Sequence, residues 1–285
     1  MSTSLTIVVY HYVRPLKGSA YPEIKGLELS DFEGQLDYIG RHYQVVSAAQ
    51  VIEAACGREA LPDSPALLTF DDGYSDHYRY VFPALKNRQM SGVFFPSGGA
   101  VLDRLLLDVN KVQFLLASGV ATQSLVDYIE NEVSLESKNL NLLPLKTYRE
   151  KYWRPNRFDP SDISYIKRML QSALPHALRA RIIEELFRRH VSSDAMAFAD
   201  DLYLSPQDLR QMADGGMEIG SHGYSHFWLE SLTVEDQRAD IDASLSFLKK
   251  VGVGCDPFLF CFPFGSYNQD TLAILKERGC GAAFT

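Results

Sequence analysis

The chain has 285 residues, of which 46% are hydrophobic and 22% are charged, and its formal net charge is −8. This balance excludes a disordered chain, a collagen-like chain and a disulfide scaffold, and the negative charge argues against a generic nucleic-acid-binding protein. At about 100–200 residues per domain, the length predicts one large domain or two small ones.

The cysteines and the N-terminal segment predict a cytoplasmic protein. The segment has no basic region, and His11 interrupts its apolar run, so it lacks the pattern of a signal peptide. No stretch of 18 apolar residues occurs, and no transmembrane segment is expected. The cysteines form no Cys-x-x-Cys pair, so we expect reduced, mostly buried thiols at Cys56, Cys255, Cys261 and Cys280.

Short apolar runs alternate with helical patterns in the first hundred residues. Strands are predicted at residues 5–10, 43–47, 66–70 and 92–96, and the first of them is expected to be fully buried. Helices are predicted at residues 29–38, 48–55 and 78–88. This alternation indicates a parallel α/β architecture.

The alternation stops over residues 101–199. Helical patterns there follow one another without a convincing strand, at residues 102–117, 123–133, 160–174 and 177–190. We predict that 101–199 form a helical insertion within a single domain of residues 1–285. The α/β pattern then resumes, with strands predicted at 217–220, 258–262 and 282–285 and helices at 205–213, 233–250 and 269–278.

Part of the predicted insertion is basic. Residues 138–190 carry 12 Lys and Arg against 5 Asp and Glu. We expect this segment to contact an anionic part of the substrate or its carrier, and a solvated helical surface is the alternative. The densest group of cations is Arg149, Lys151, Arg154 and Arg157.

Polar side chains follow four of the predicted strands. The carboxyl ends of the strands of an α/β barrel open on one face, so these groups are expected to converge there. They are His11, Asp71 with Asp72, His222 with His226, and the Pro263-Phe264-Gly265 segment.

Two of these groups together indicate a metal site. His222 and His226 are four residues apart, and one carboxylate from another strand would complete three protein ligands. Of Asp71 and Asp72, one can bind the cation while the other faces the substrate. The alternatives are histidines that only cap a loop and an Asx turn at Asp72-Gly73.

Three segments carry a resemblance to a known family. Residues 69–73 (Thr-Phe-Asp-Asp-Gly), 221–226 (Ser-His-Gly-Tyr-Ser-His) and 262–267 (Phe-Pro-Phe-Gly-Ser-Tyr) resemble the polysaccharide deacetylase family, NodB-like, of carbohydrate esterase family 4. The resemblance covers about residues 5–100 and 200–285. It implies a distorted (β/α)7-type barrel, the NodB homology fold, and metal-dependent hydrolysis of N-acetyl groups on amino sugars.

The resemblance also implies roles for individual residues. Asp71 corresponds to the general base, and the backbone N–H of Phe264 to a donor for the tetrahedral oxyanion. The implied ligands of a divalent metal are Asp72, His222 and His226, with Zn²⁺ expected first and Co²⁺, Ni²⁺, Mn²⁺ or Fe²⁺ as alternatives. The residues implied in substrate binding are Tyr12, Pro263 and Gly265.

The sequence departs from the family pattern at two points. Cys261 stands where many members have an arginine that positions the base, and the sequence ends at Thr285 without the Leu-x-x-His motif that supplies the general acid. Some relatives carry a Tyr-His-x-Val segment after the first strand instead, in an arrangement similar to a circular permutation. Residues 10–13 match that segment, so His11 is the candidate general acid, with a core or loop histidine as the alternative.

Three functions remain open from the sequence. The first is deacetylation of an acylated amino sugar, nucleotide-linked or lipid-linked because a cytoplasmic location is expected. The second is hydrolysis of another non-peptide C–N bond on the same fold, and the third is an inactive carbohydrate-binding relative. Four histidines without motif context are expected on the surface: His42, His77, His176 and His190.

Overall fold

The computed structural model describes residues 4–254 and 256–285. Over these residues it has nine strands: β1 Thr6–Tyr10, β2 Val13–Arg14, β3 Leu27–Glu28, β4 Gln44–Val45, β5 Pro65–Asp72, β6 Val93–Pro96, β7 Glu218–Ile219, β8 Phe258–Cys261 and β9 Cys280–Phe284. The α-helices of the same residues are α1 Leu29–His42, α2 Ala48–Ala55, α3 Phe82–Asn87, α4 Gly98–Leu102, α5 Asp108–Ala117, α6 Thr122–Glu136, α7 Leu145–Tyr152, α8 Ser161–Arg168, α9 His176–His190, α10 Ala195–Leu202, α11 Pro206–Asp214, α12 Val234–Val251 and α13 Gln269–Glu277.

The chain divides into two compact units. The α/β unit comprises the described parts of Met1–Pro15, Gly26–Leu105 and Ala199–Thr285. The helical unit comprises Leu16–Lys25 and Leu106–Phe198. The helical unit thus overlaps the segment 101–199 expected as an insertion, but it also contains residues 16–25. The placement of residues 1–285 in a single domain stays a prediction.

The sheet of the α/β unit is parallel, as predicted. Strands β1, β5, β6 and β7 lie side by side in that order, and β4 pairs with the start of β5. Strands β8 and β9 form a second parallel pair, which an isolated bridge between Ser221 and Phe260 connects to the end of β7. All eight residues of β5 are buried, because one of its faces packs against α1 and α3 and the other against β6, β8 and β9. The expectation that the first strand is fully buried is wrong, since Ile7 and Val9 of β1 are 45% and 46% exposed. The carboxyl ends of these parallel strands open on one side of the unit.

Capping residues set the starts of several helices that flank this sheet. Ser205 accepts from the N–H of Asp208, whose carboxylate accepts from the N–H of Ser205, and Pro206 occupies the first helical position of α11. Thr233 caps α12 in the same way by accepting from the N–H of Asp236. These helix starts agree with the sequence-based expectation.

The helical unit has a hydrophobic core of its own. Most of its buried residues come from α5, α6, α8 and α9, and they include Val126, Ile129, Tyr165 and Ile182. Two helices were not predicted: α7, which buries only Tyr148, and α10. A polar helix with one buried residue has almost no periodic apolar signal.

One predicted helix is interrupted. Instead of a single helix over residues 102–117, α4 ends at Leu102 and α5 begins at Asp108. Arg104 lies between them with φ of 53°, a left-handed conformation that an α-helix does not accommodate.

Two further sequence expectations have a structural outcome. The described cysteines form no disulfide, but only Cys261 is fully buried, and Cys56 is exposed because it follows the end of α2; Cys255 lies outside the described residues. In the described ranges, no helix is long and apolar enough to span a bilayer.

Candidate active site and metal centre

The polar groups predicted at the strand ends lie together in the α/β unit. Asp71 and Asp72 are the last two residues of β5, and Pro96 ends the neighbouring strand β6. The N–H of His222 donates to the backbone oxygen of Pro96 at 3.1 Å, which places His222 just beyond the paired part of β7. The sheet register therefore brings His222 beside the two aspartates.

Asp72, His222 and His226 form a buried three-residue cluster. Their ligand atoms lie within 4.8 Å of one another, and Oδ1 of Asp72 is 3.6 Å from Nε2 of His222 and 3.2 Å from Nε2 of His226. One carboxylate oxygen and two imidazole nitrogens are a donor set suited to zinc and related divalent ions. The residues present therefore fit a divalent metal. The structure brings the three predicted ligands together, and Asp71, His222 and Cys261 form a second buried group with the same spacing limit.

The ring of His222 is held in the orientation that a metal ligand needs. Its Nδ1 donates to the backbone oxygen of Cys261 at 2.9 Å, which leaves Nε2 as the nitrogen with a lone pair on the side of Asp72. Burial lowers the pKa of His222 to about 3, so its imidazole is neutral at ordinary pH. A neutral imidazole is the form that binds a metal.

The electrostatics of Asp72 favour its charged form. Burial raises the pKa of this carboxyl, but the hydrogen bond with His226 and the electrostatic effect of the neighbouring histidines lower it by a larger amount, so the net direction is downward. Asp72 is 3% exposed and is an anion in a site largely closed to solvent. Such a buried anion requires a compensating cation, which a bound metal would provide.

Three residues of the site adopt a left-handed backbone although none is glycine. The φ angles are 71° at Asp72, 57° at His226 and 59° at Phe264. This conformation costs a residue with a Cβ atom about 1–2 kcal/mol. One such residue occurs in each of the three resembling segments, so the strain coincides with the site. No signal in the sequence predicted it.

Asp71 differs from Asp72 in its surroundings. It is 5% exposed, its Oδ1 has no partner among the described residues, and the thiol of Cys261 lies 3.6 Å from its Oδ2. Burial raises the pKa of Asp71 to about 6, with a smaller opposing effect from His11. A carboxyl with a pKa near neutrality and an unpaired oxygen is suited to accept a proton.

His11 lies at the edge of the same site. Its Nε2 is 4.0 Å from Oδ2 of Asp71, and its side chain is 51% exposed. Its backbone oxygen accepts a hydrogen bond from Nε2 of His77 at 2.8 Å. The segment after β1 therefore brings an accessible imidazole to the aspartates.

The expectation that His77 lies on the surface is wrong. Its exposure is 0%, and its ring lies between Phe70, Tyr74 and Phe94. The other three histidines without motif context are exposed. The burial of His77 follows from a π-helical turn over His77–Val81, which begins one residue before the helix predicted at 78–88.

The structure also shows where the other predicted site residues lie. Tyr12 is 2% exposed, and its ring stacks on Tyr74 with centroids 3.9 Å apart. Pro263 is buried, and Gly265 is exposed with φ of 66°. The roles of Tyr12, Pro263 and Gly265 in substrate binding stay predictions.

Phe264 is fixed by two aromatic neighbours. Its ring stacks on Trp228 with centroids 4.4 Å apart and meets the edge of His226 at 4.7 Å. Its backbone N–H has no acceptor among the described residues. A rigid, unpaired N–H beside the candidate metal ligands is the kind of donor that stabilises an oxyanion.

Asp240 is a residue of the site that sequence analysis missed. It lies in α12 with 7% exposure, and its carboxylate accepts from the N–H groups of Tyr224 and Ser225, both at 2.9 Å. These bonds hold the loop between His222 and His226. The sequence signal that could have identified Asp240 is its position among the apolar residues Ile241 and Phe247, which α12 buries with it.

Ion pairs neutralise part of the basic segment in the helical unit. Arg149 makes two hydrogen bonds with Glu130, at 2.6 and 2.8 Å, and Arg181 pairs with Glu132 and Glu136. These acidic partners come from α6, outside residues 138–190. The local excess of positive charge is therefore smaller than the count within 138–190 indicates.

Comparison with known proteins agrees with this geometry. The family model described as polysaccharide deacetylase matches residues 58–151 and 165–283. This chain belongs to the polysaccharide deacetylase family. All three segments that carry the resemblance, 69–73, 221–226 and 262–267, lie wholly inside the matched ranges.

Individual relatives match the polysaccharide deacetylase chain to different extents. A poly-beta-1,6-N-acetyl-D-glucosamine N-deacetylase of Escherichia coli K12 is 48% identical over 59 residues, which are 21% of this chain and 9% of that protein. The chain therefore spans a small part of this curated relative.

Solved structures show the same fold over nearly the whole chain. The deacetylase PplD of Streptococcus pyogenes superposes with a TM-score of 0.60 at 15% identity, over 99% of this chain and 83% of that one. A de-N-acetylase from Aggregatibacter actinomycetemcomitans gives 0.58 at 18% identity, over 99% and 87%. The predicted α/β fold of the NodB type, a distorted barrel, is confirmed.

Proposed function

We propose that this protein is a metal-dependent hydrolase that removes the N-acetyl group from an amino sugar of a polysaccharide. The observation that carries the proposal is the buried cluster of Asp72, His222 and His226 with the unpaired Oδ1 of Asp71 beside it. Membership of the polysaccharide deacetylase family supports the reaction class.

The residues of the site have different roles in the proposed hydrolysis. Asp72, His222 and His226 would hold the divalent ion, and such an ion acts as a Lewis acid that polarises a carbonyl and makes a water more acidic. Asp71 accepts the proton of the attacking water, because its unpaired oxygen and raised pKa suit a general base. The N–H of Phe264 donates to the oxyanion that forms on the acetyl carbonyl.

His11 supplies the last proton. The amine of the sugar leaves only when its nitrogen is protonated, and the half-exposed imidazole of His11, 4.0 Å from Asp71, can deliver that proton. This role is consistent with the Tyr-His-x-Val segment at residues 10–13. Zn²⁺ is the ion that we propose first, since two imidazoles and a carboxylate suit it.

The substrate that we propose is an N-acetylglucosamine polymer. The 59-residue match with an enzyme named for poly-beta-1,6-N-acetyl-D-glucosamine supports this class. A nucleotide-linked or lipid-linked sugar, which the sequence favoured, is the alternative, and of the basic residues named for it Arg149 is paired with Glu130. The cytoplasmic location stays a prediction.

The test is acetate release by the purified chain loaded with Zn²⁺, Co²⁺ or Ni²⁺. The substrates are β-1,6-linked N-acetylglucosamine oligomers, a nucleotide-linked N-acetyl sugar and a cyclic amide. We expect acetate from the oligomers, loss of activity with a chelator, and loss of bound metal in the His222→Ala/His226→Ala double variant by elemental analysis.

Each alternative has its own outcome. Release of product only from the cyclic amide would replace deacetylation with hydrolysis of another C–N bond. Oligomer binding without any acetate release from a metal-loaded chain would indicate an inactive relative. Full metal occupancy in the double histidine variant would contradict the ligand assignment.

A further inference from the structure

Asp72 and the two residues after it form an unusual turn. Asp72 and Gly73 have φ of 71° and 74°, two successive left-handed residues that reverse the chain at the end of β5. The oxygen of Gly73 accepts from the N–H of Leu204 at 2.9 Å, and Tyr74 forms an isolated antiparallel bridge with Tyr203. The turn places the hydroxyl of Tyr74 against the carboxylate of Asp72.

The two oxygens of Asp72 face different partners. Its Oδ1 faces Nε2 of His222 and of His226, at 3.6 and 3.2 Å. Its Oδ2 accepts the hydroxyl of Tyr74 at 2.5 Å. One oxygen of the Asp72 carboxylate therefore faces the candidate metal ligands, and the other accepts a hydrogen bond from the buried phenol of Tyr74.

We propose that Tyr74 is a positioning residue that fixes Asp72 as a ligand through one oxygen, by occupying the other. This inference rests on the proposed metal centre at Asp72, His222 and His226. It assigns the residue after the Asp-Asp-Gly segment a role in setting the coordination geometry and the affinity for the metal.

Tyr74 is held rigidly enough for that role. It is 0% exposed, and its ring stacks on Tyr12 at 3.9 Å with an interplanar angle of 18°. The ring of Tyr203 lies nearly parallel to that of Tyr74, with centroids 6.4 Å apart and an interplanar angle of 11°. Tyr12 is itself 2% exposed, so this ring stack is enclosed. The hydroxyl of Tyr74 consequently meets Asp72 from one fixed direction.

The physical effect follows from the burial of the carboxylate. Without the hydroxyl, Oδ2 would be a buried acceptor that lacks its donor, and the carboxylate would be free to rotate about its last torsion. Hydrogen bonds from outside the ligand set orient ligands, and their loss typically weakens metal affinity by about 10–100-fold. The same loss is expected here.

The experiment compares two tyrosine-to-phenylalanine variants. Tyr74→Phe removes the hydroxyl and keeps the ring, whereas Tyr10→Phe removes the hydroxyl of a tyrosine that is 6% exposed and donates to Gln35, away from the site. The Kd for Zn²⁺ is measured by competition with a chelating dye, and the visible absorption of bound Co²⁺ reports the ligand geometry. Thermal unfolding of the metal-free proteins checks the fold.

We expect Tyr74→Phe to bind Zn²⁺ about 10–100-fold more weakly and to change the Co²⁺ spectrum, with Tyr10→Phe like the wild type in both. Tyr12→Leu serves as a second variant, because it removes the stacked ring and the hydroxyl that contact Tyr74 but keeps the hydroxyl of Tyr74 itself. It should weaken binding by a smaller factor.

The outcomes separate this inference from the proposed function. Equal affinity and an unchanged Co²⁺ spectrum in Tyr74→Phe, with metal bound by the wild type, would overturn the role of Tyr74 alone. A folded wild-type chain that binds no divalent ion would overturn the proposed metal centre, and the inference with it.

Discussion

The buried ring of His77 donates from Nε2 to the backbone oxygen of His11, 2.8 Å away. The carbonyl can only accept, so Nε2 carries the proton and Nδ1 is the unprotonated nitrogen. Nδ1 is buried and has no partner among the described residues. The segment that carries the proposed general acid therefore depends on a second histidine, which must stay neutral.

This arrangement predicts a dependence of stability on pH. Burial lowers the pKa of His77 to about 4, from about 6.5 in the unfolded chain. Between these values the unfolded state binds more protons, so stability rises with pH. The contribution is fully present above about pH 6.5 and is lost as the pH falls through 4, and it amounts to on the order of 3 kcal/mol.

The measurement is urea unfolding of the metal-free protein between pH 7.5 and 4. His77→Gln keeps an N–H donor but does not titrate, and we expect it to lose less stability on acidification than the wild type. His190→Gln, at an exposed histidine, is the control and should follow the wild type. Identical pH slopes for His77→Gln and the wild type would contradict the prediction.

Asp71→Asn should separate metal binding from turnover. The amide cannot accept a proton from water, while Asp72, His222 and His226 are unchanged. Loss of a general base costs about 10²–10⁴-fold in kcat. Acetate release and elemental analysis on the same sample give both quantities. A metal-loaded Asp71→Asn variant with the kcat of the wild type would exclude Asp71 as the base.

His11→Ala should lower kcat more than it raises KM. The leaving amine needs its proton only in the transition state, so an interaction made there is removed while ground-state binding remains. Steady-state kinetics on N-acetylglucosamine oligomers measure both constants, with His42→Ala as an exposed control. If KM rises and kcat is retained, His11 binds substrate and another group supplies the proton.

The strand ends could be predicted because two independent signals coincide there. Leu67, Leu68 and Phe70 form an apolar run typical of a buried parallel strand, and Asp71 and Asp72 directly follow it. In a parallel sheet that order alone predicts the convergence with His222. The choice of Asp72 rather than Asp71 as the ligand required the resemblance to the deacetylase family as well.

The supporting residues could not be predicted in the same way. His77 contacts the backbone of His11, and Tyr74 contacts the carboxylate of Asp72. The turn that places Tyr74 there depends on the left-handed conformation of Asp72, which no periodic pattern in a sequence indicates. Their types also mislead, because histidine and tyrosine are common at surfaces. The interruption between α4 and α5 was missed for a similar reason, since it depends on the φ angle of Arg104.

The turn at Asp72-Gly73 makes a prediction about stability that a matched glycine can test. A Cβ atom at Gly73 would lie 2.6 Å from Cβ and 2.8 Å from Cα of Pro96, whereas one at Gly57 would meet nothing within 4 Å. The two glycines have nearly the same φ, 74° and 72°. Alanine at either position would therefore have the same cost for a left-handed backbone. The two variants would differ in stability only through the steric contact with Pro96.

Gly57→Ala should cost about 1–2 kcal/mol from its backbone conformation alone. Gly73→Ala should cost about 1–3 kcal/mol more, because Pro96 must move in a closely packed strand. Urea unfolding of the two variants measures the difference, and Zn²⁺ affinity should fall in Gly73→Ala but stay unchanged in Gly57→Ala, since only Gly73 adjoins the ligand Asp72. Equal losses of stability would mean that Pro96 yields without cost and that the turn does not need a glycine for space.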